Sequence, residues 1–245
     1  MVKFNNQCIT VNKFLEKKQK DTLMLFRNNL IVFIFTVLII SCLNQKQITE
    51  SERVNLKQQL LEMVASDQIA ANPPKNNYLS LSGEEWQALK DSVFTSHKQR
   101  LESIYNQYGF LGFDKVGKEG ATHFWLLVQH CDEFPRFQQL ILKDMEKEVR
   151  KGNANAKDFA YLFDRVATNA KKKQKFGTQV DYDIATTGRA FPKFGLIDSA
   201  NVDSLRVQHG LSLLKDYLNM MTTLQYEMNK VRYNEKGIHA PNLYD

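Results

Sequence analysis

Between about residues 49 and 170 the apolar side chains return every three or four positions, and at residue 171 that rhythm stops. A period near 3.6 residues buries one stripe of an α-helix and does not fit the two-residue alternation of a half-buried strand. Leu56, Leu60, Met63 and Val64 predict a first helix over about Thr49–Ala70. Asn72-Pro73-Pro74 stops it, because proline lacks the amide donor and clashes with the preceding turn. Ser82 with Glu85 forms a capping-box pattern before a second stripe, Trp86, Leu89, Val93, His97, Leu101, Ile104 and Tyr108, closed by Gly109. His97 lies on that stripe and reads as a packed, hydrogen-bonded histidine.

A third helix is predicted over about Lys118–His130, where Phe124-Trp125-Leu126-Leu127-Val128 is apolar all round and therefore central. A fourth runs from near Phe134 to Lys151, with Pro135 tolerable in its first turn. A fifth opens at Asn155 and Asp158, and the last is expected to cover about Val202–Tyr233. From Lys171 to Ile197 the pattern changes: Phe176, Val180, Tyr182 and Ile184 alternate before Gly188, predicting a β-hairpin or ordered loop near residues 174–194. The expected fold is mainly α, a single domain of about six helices with one small β element. Residues 52–233 make that domain, 42–51 a polar tether and 234–245 a loose tail.

Composition removes several function classes. Hydrophobic residues at 43% and charged residues at 24% exclude wholesale disorder, and three cysteines exclude a disulfide scaffold. The net charge of +6 is mostly local. Lys3, Lys13, Lys17, Lys18, Lys20 and Arg27 stand against only Glu16 and Asp21 in residues 1–41, leaving +2 for the rest. Nucleic acid is therefore not an expected partner, since it needs a basic face on the folded domain. No P-loop, dinucleotide fingerprint, G-x-S-x-G elbow or Cys-x-x-Cys pair is present. His123, His130 and Asp132 lack the spacing of a zinc hydrolase, so neither cofactor nor metal is expected.

The amino end supplies an address. Leu30–Ile40 reads LIVFIFTVLII behind Arg27, too short to cross a bilayer but suited to a secretory signal. Met24 begins a leader of more usual length, so translation is expected to start there. The following Ile39-Ile40-Ser41-Cys42 resembles the lipobox of bacterial lipoproteins. That resemblance implies cleavage before Cys42, acylation of its thiol and a membrane-anchored protein of the cell envelope facing periplasm or cell surface. Membrane lipid is then the partner of Cys42, several acyl chains holding the protein without a spanning helix.

Three polar clusters follow. Gln129-His130-Cys131-Asp132 ends the most apolar helix, where a histidine and a carboxylate suit acid/base work. Asp132 as a cap and His130 on a backbone carbonyl is the structural alternative. Cys131 beside His130 suggests a thiol nucleophile, but adjacent helical residues point about 100° apart. Asp164-Arg165 lies away from the Phe159/Phe163 face and reads as a solvated pair. Gln174 to Gln179 follows Lys171-Lys172-Lys173, with Gly177 allowing close backbone approach.

Taken in order, Gln129-His130-x-Asp132, Asp164-Arg165, Gln174-x-x-Gly177-Thr178-Gln179 and Arg206-x-x-x-Gly210-Leu211 resemble a bacterial family catalogued as a domain of unknown function. The likeness spans roughly Leu56 to Leu218. Cys131 departs from a common alanine, and Asp67-Gln68 lacks a following arginine. The resemblance names a candidate site and no reaction. If these residues converge, His130 is the acid/base and Asp132 or Asp164 its orienter. Arg165 and Arg206 hold a small anionic ligand, with Gln129, Gln174, Gly177, Thr178 and Gln179 lining it. Three readings stay open: an anion-binding module, a hydrolase or transferase using His130, and a structural protein with a buried polar network. An open hollow favours the first two and a closed network the third.

Overall fold

Three of the helices begin at a residue whose side chain accepts the unpaired first-turn amides: Thr49, Ser82 and Asn155. The computed structural model describes residues 48–245, which form one compact unit. The expected leader at 1–41, start at Met24 and acylation of Cys42, with most of the expected 42–51 tether, fall outside the described residues. Thr49 caps α1 (Glu50–Ala71) and completes a reciprocal capping box with Glu52. A short 3-10 turn, Asn76–Ser80, leads to α2 (Gly83–Tyr108), which starts on the Ser82/Glu85 box and ends at Gly109. Then come α3 (Phe113–Gln129), α4 (Pro135–Arg150, Pro135 in its first turn) and α5 (Ala156–Asn169, capped by Asn155). The third helix starts earlier than the periodicity suggests, because a short turn precedes a non-helical Gly117 inside it.

α3 is the central helix and packs against α1, α2, α4 and α5. Its Phe124, Leu127 and Val128 are essentially inaccessible, joined by Leu60, Leu101, Ile141 and Leu162 from its neighbours. Residues 180–182 and 190–192 pair as a two-stranded antiparallel hairpin, β1 (Val180–Tyr182) and β2 (Ala190–Pro192), with Asp181 opposite Phe191. The fold is mainly α with this small β element.

The carboxyl-terminal third departs from the expectation of one long helix. It forms α6 (Val202–Gln208), α7 (Leu214–Met228) and α8 (Lys230–Glu235), eight α-helices in all among the described residues. Gly210 adopts φ +71° after α6, and Leu211 N returns to Arg206 O. A left-handed residue ends a helix whatever apolar spacing continues beyond it. α7 packs on the hairpin through Tyr217 and Leu218, a second small core. The tail is tied down. Tyr244 exchanges bonds with Asn219 and donates to Ala190 O at 2.9 Å, and Arg189 grips Asn242.

Candidate functional site

The polar residues singled out in the sequence gather around separate acidic centres. The first is Asp164, on the side of α5 that periodicity assigns to solvent. It is fully buried instead, because the 171–197 segment covers that side. Its carboxylate accepts Lys175 N at 2.8 Å, Phe176 N at 3.1 Å, Thr178 N at 2.8 Å and Thr178 Oγ1 at 3.0 Å. Gln174, also fully buried, donates to Gln179 O and Lys193 O and accepts Gln179 N. Gly177 sits at φ +71°, a backbone that favours glycine, and a Cβ there would meet Leu214 Cδ1 at 2.9 Å, so the leucine end would also have to shift.

Arg206 completes this knot. It is wholly buried, donates to Ser212 O and Phe176 O, and stacks its guanidinium over Tyr217. Tyr217 in turn donates to Thr178 O at 2.7 Å. Asp164, Gln174, Gly177, Thr178, Gln179 and Arg206 are thus brought together in a largely self-satisfied network.

A second centre is Asp132. Arg165 grips it in a bidentate pair at 2.8 and 2.5 Å, and Asn169 and Gln138 also donate to it. Burial works to raise this carboxyl, but the Arg165 bond and charge, with the two amides, hold it below the usual range. Arg165 therefore pairs with Asp132 and not with its neighbour Asp164. Gln129 is buried; in the amide orientation its neighbours require, its oxygen accepts Leu162 N and Trp125 Nε1, each at 3.0 Å.

The third centre was legible only in part. His130 follows α3, and its Nδ1 lies 2.7 Å from Oδ2 of Asp67 on α1. The carboxylate that His130 reaches is Asp67, neither Asp132 nor Asp164. Asp67 is fully buried, whereas the His130 side chain keeps 19% of its surface open to solvent. Burial works to raise the Asp67 carboxyl, yet the His130 hydrogen bond, the facing His97 ring and the His130 charge hold it below the ordinary value. It is therefore an acceptor, and His130 Nδ1 donates. The His130 Nε2 has no hydrogen-bond partner among the described residues, and Phe94 packs beside the ring at 5.8 Å between centroids.

The signal for Asp67 was its register. Leu56, Leu60, Met63, Asp67 and Ala70 are the buried positions of α1, so a carboxylate occupies a core position. Cys131 is no nucleophile: burial, with Asp132 and Asp67 nearby, pushes its thiol up to about 12. Among the described residues no group of three or more His, Cys, Asp or Glu side chains is arranged to hold a metal ion. A cleft of about 480 Å³ opens between α2 and α4, lined by Lys98, Glu102, Phe134, Arg136, Phe137 and Leu140, and none of the residues above lines it.

These features define a mainly α domain with a closed polar knot around Asp164 and, separate from it, a carboxylate-oriented histidine. Residues 54–230 match the model of a family of unknown function (DUF6624), and the chain belongs to that family. Neither a curated protein nor a solved structure matches it.

Proposed function

We propose that this chain is a lipid-anchored protein of the bacterial cell envelope whose domain carries a proton-transfer site at His130, of the kind hydrolases and transferases use. One observation carries the site: a fully buried Asp67 fixes Nδ1 of a partly exposed imidazole whose Nε2 has no hydrogen-bond partner among the described residues. A carboxylate on one ring nitrogen sets the tautomer and leaves the other as a base toward solvent. Anion binding is the weaker reading, because Arg206 is engaged with backbone carbonyls and Arg165 with Asp132.

The address rests on the apolar run before Ile39-Ile40-Ser41-Cys42. No helix among the described residues is long and apolar enough to cross a membrane, so acyl chains on Cys42 would supply the attachment. Mass analysis of the mature amino terminus should find Cys42 first and carrying lipid, and Cys42→Ser should leave the membrane fraction. An unmodified terminus overturns the address. For the site, p-nitrophenyl esters, phosphates and glycosides are the probes. His130→Gln should lower turnover about 100-fold or more while keeping the wild-type circular dichroism spectrum. Equal turnover in both proteins, or none in the wild type on any probe, removes the catalytic reading.

A further inference from the structure

Asp67 has two oxygens, and only one meets His130. Oδ2 takes His130 Nδ1 at 2.7 Å and the Gln68 amide at 3.1 Å. Oδ1 is buried with no hydrogen-bond partner, and so is Nδ1 of His97 on α2. These two orphaned atoms face each other at 3.8 Å. The other nitrogen of His97, Nε2, lies 3.0 Å from Ser66 Oγ. Asp67 is fully buried and His97 is 7% exposed, so both atoms are shielded from bulk solvent.

A bare Nδ1 lone pair would set two buried acceptors face to face, an arrangement that desolvation makes costly. A hydrogen on Nδ1 turns that repulsion into attraction, an electrostatic contact at 3.8 Å and not a hydrogen bond. The Ser66 hydroxyl accommodates this in either case, since it can donate to Nε2 or accept from it. Its contact with Met63 O at 3.0 Å is compatible with both. Other ionisable groups near the cluster are Lys98, next to His97, and Cys131 and Asp132 beyond His130. Neither Lys98 nor Asp132 has a hydrogen bond or ion pair to Asp67, being held by Glu102 and Arg165 respectively.

We infer that His97 is a positioning residue: its Nδ1–H points at Asp67 Oδ1, so one buried carboxylate is held between two imidazoles and cannot rotate away from His130. This rests on reading His130 as the proton-transfer group and adds what keeps that group in its working tautomer. His97 has its contacts with Ser66 and Asp67 and no hydrogen bond to His130 among the described residues. It fixes the side-chain angle of Asp67, and Asp67 fixes the ring.

Histidine-labelled full-length protein in detergent micelles, studied by proton–nitrogen correlation at about pH 8, tests this. In the wild type, His97 Nδ1 should carry hydrogen, and His130 should show a protonated Nδ1 with a bare Nε2. His97→Asn places an amide donor near the former Nδ1 and should preserve the His130 pattern. His97→Gln places its donor near Ser66 instead, and His130 should become a mixture of tautomers. A bare His97 Nδ1 in the wild type overturns the inference without any variant. So does an unchanged His130 pattern in a folded His97→Gln protein. If wild-type His130 itself carries hydrogen on Nε2 instead of Nδ1, the proton-transfer reading falls, and this inference falls with it.

Discussion

Asp164 and Asp67 are both fully buried carboxylates, yet they are used in opposite ways. Asp164 has its oxygens filled by the amides and hydroxyl of the 175–178 loop, and no part of it reaches solvent. Asp67 leaves one oxygen without a hydrogen bond and gives the other to a histidine that does reach solvent. A filled carboxylate organises backbone; a half-filled one beside an exposed imidazole stays available to control a proton. Ordered sequence motifs do not separate these roles, because both kinds of residue are polar, buried and irreplaceable by a hydrophobe.

The largest effect should come from Asp164→Asn. The new NH2 group faces backbone N–H donors, and the protein should lose about 3 kcal/mol or more in urea unfolding. A loss below 1 kcal/mol would mean that the knot does not organise the loop. Gly177→Ala attacks the same knot from its backbone and should cost about 2 kcal/mol, since φ +71° and the Leu214 contact both resist a Cβ.

Asp132 sits between the two centres in sequence and is intermediate in behaviour. Its folded-state carboxyl lies below the ordinary 3.8, so its contribution is present above that value and fades as pH falls through the folded one. With both partners of the Arg165 pair partly exposed, Asp132→Asn should cost only about 1 kcal/mol at neutral pH. That difference should shrink below about pH 4, which unfolding curves across the acid range would register. Asp67→Asn should cost least, under about 1 kcal/mol. Its amide oxygen can stay on His130 while its nitrogen turns to His97 Nδ1, provided that ring moves its hydrogen to Nε2 and donates to Ser66 Oγ. The same substitution should still lower any His130-dependent turnover, so stability and activity part company here and not at Asp164.

Much of the helical scaffold could be read from spacing, because caps and apolar stripes act locally. Ser82/Glu85, Gly109, Pro135 and Asn155 mark boundaries where the chain uses them. The last helix was over-extended because Val207, Leu211 and Leu214 keep helical spacing across Gly210, whose left-handed backbone that spacing does not reveal. Asp164 was placed on the wrong side for a different reason. What covers that part of α5 is an aperiodic segment, and burial by a loop leaves no rhythm in the helix it covers. His130 stood out through its motif, while its actual partner lies 63 residues earlier. Asp67 was marked by its place on an apolar stripe, a clue to burial but not to which histidine it meets.

The clasp formed by Tyr244 ties the hairpin to a point 54 residues further along the chain. A proteolytic cut between Glu235 and Tyr244 would strip Ala190 O and Asn219 of their shared fastening. Damage beside Tyr244 would then be felt far back along the chain, as faster amide exchange in strands that the protease never touches.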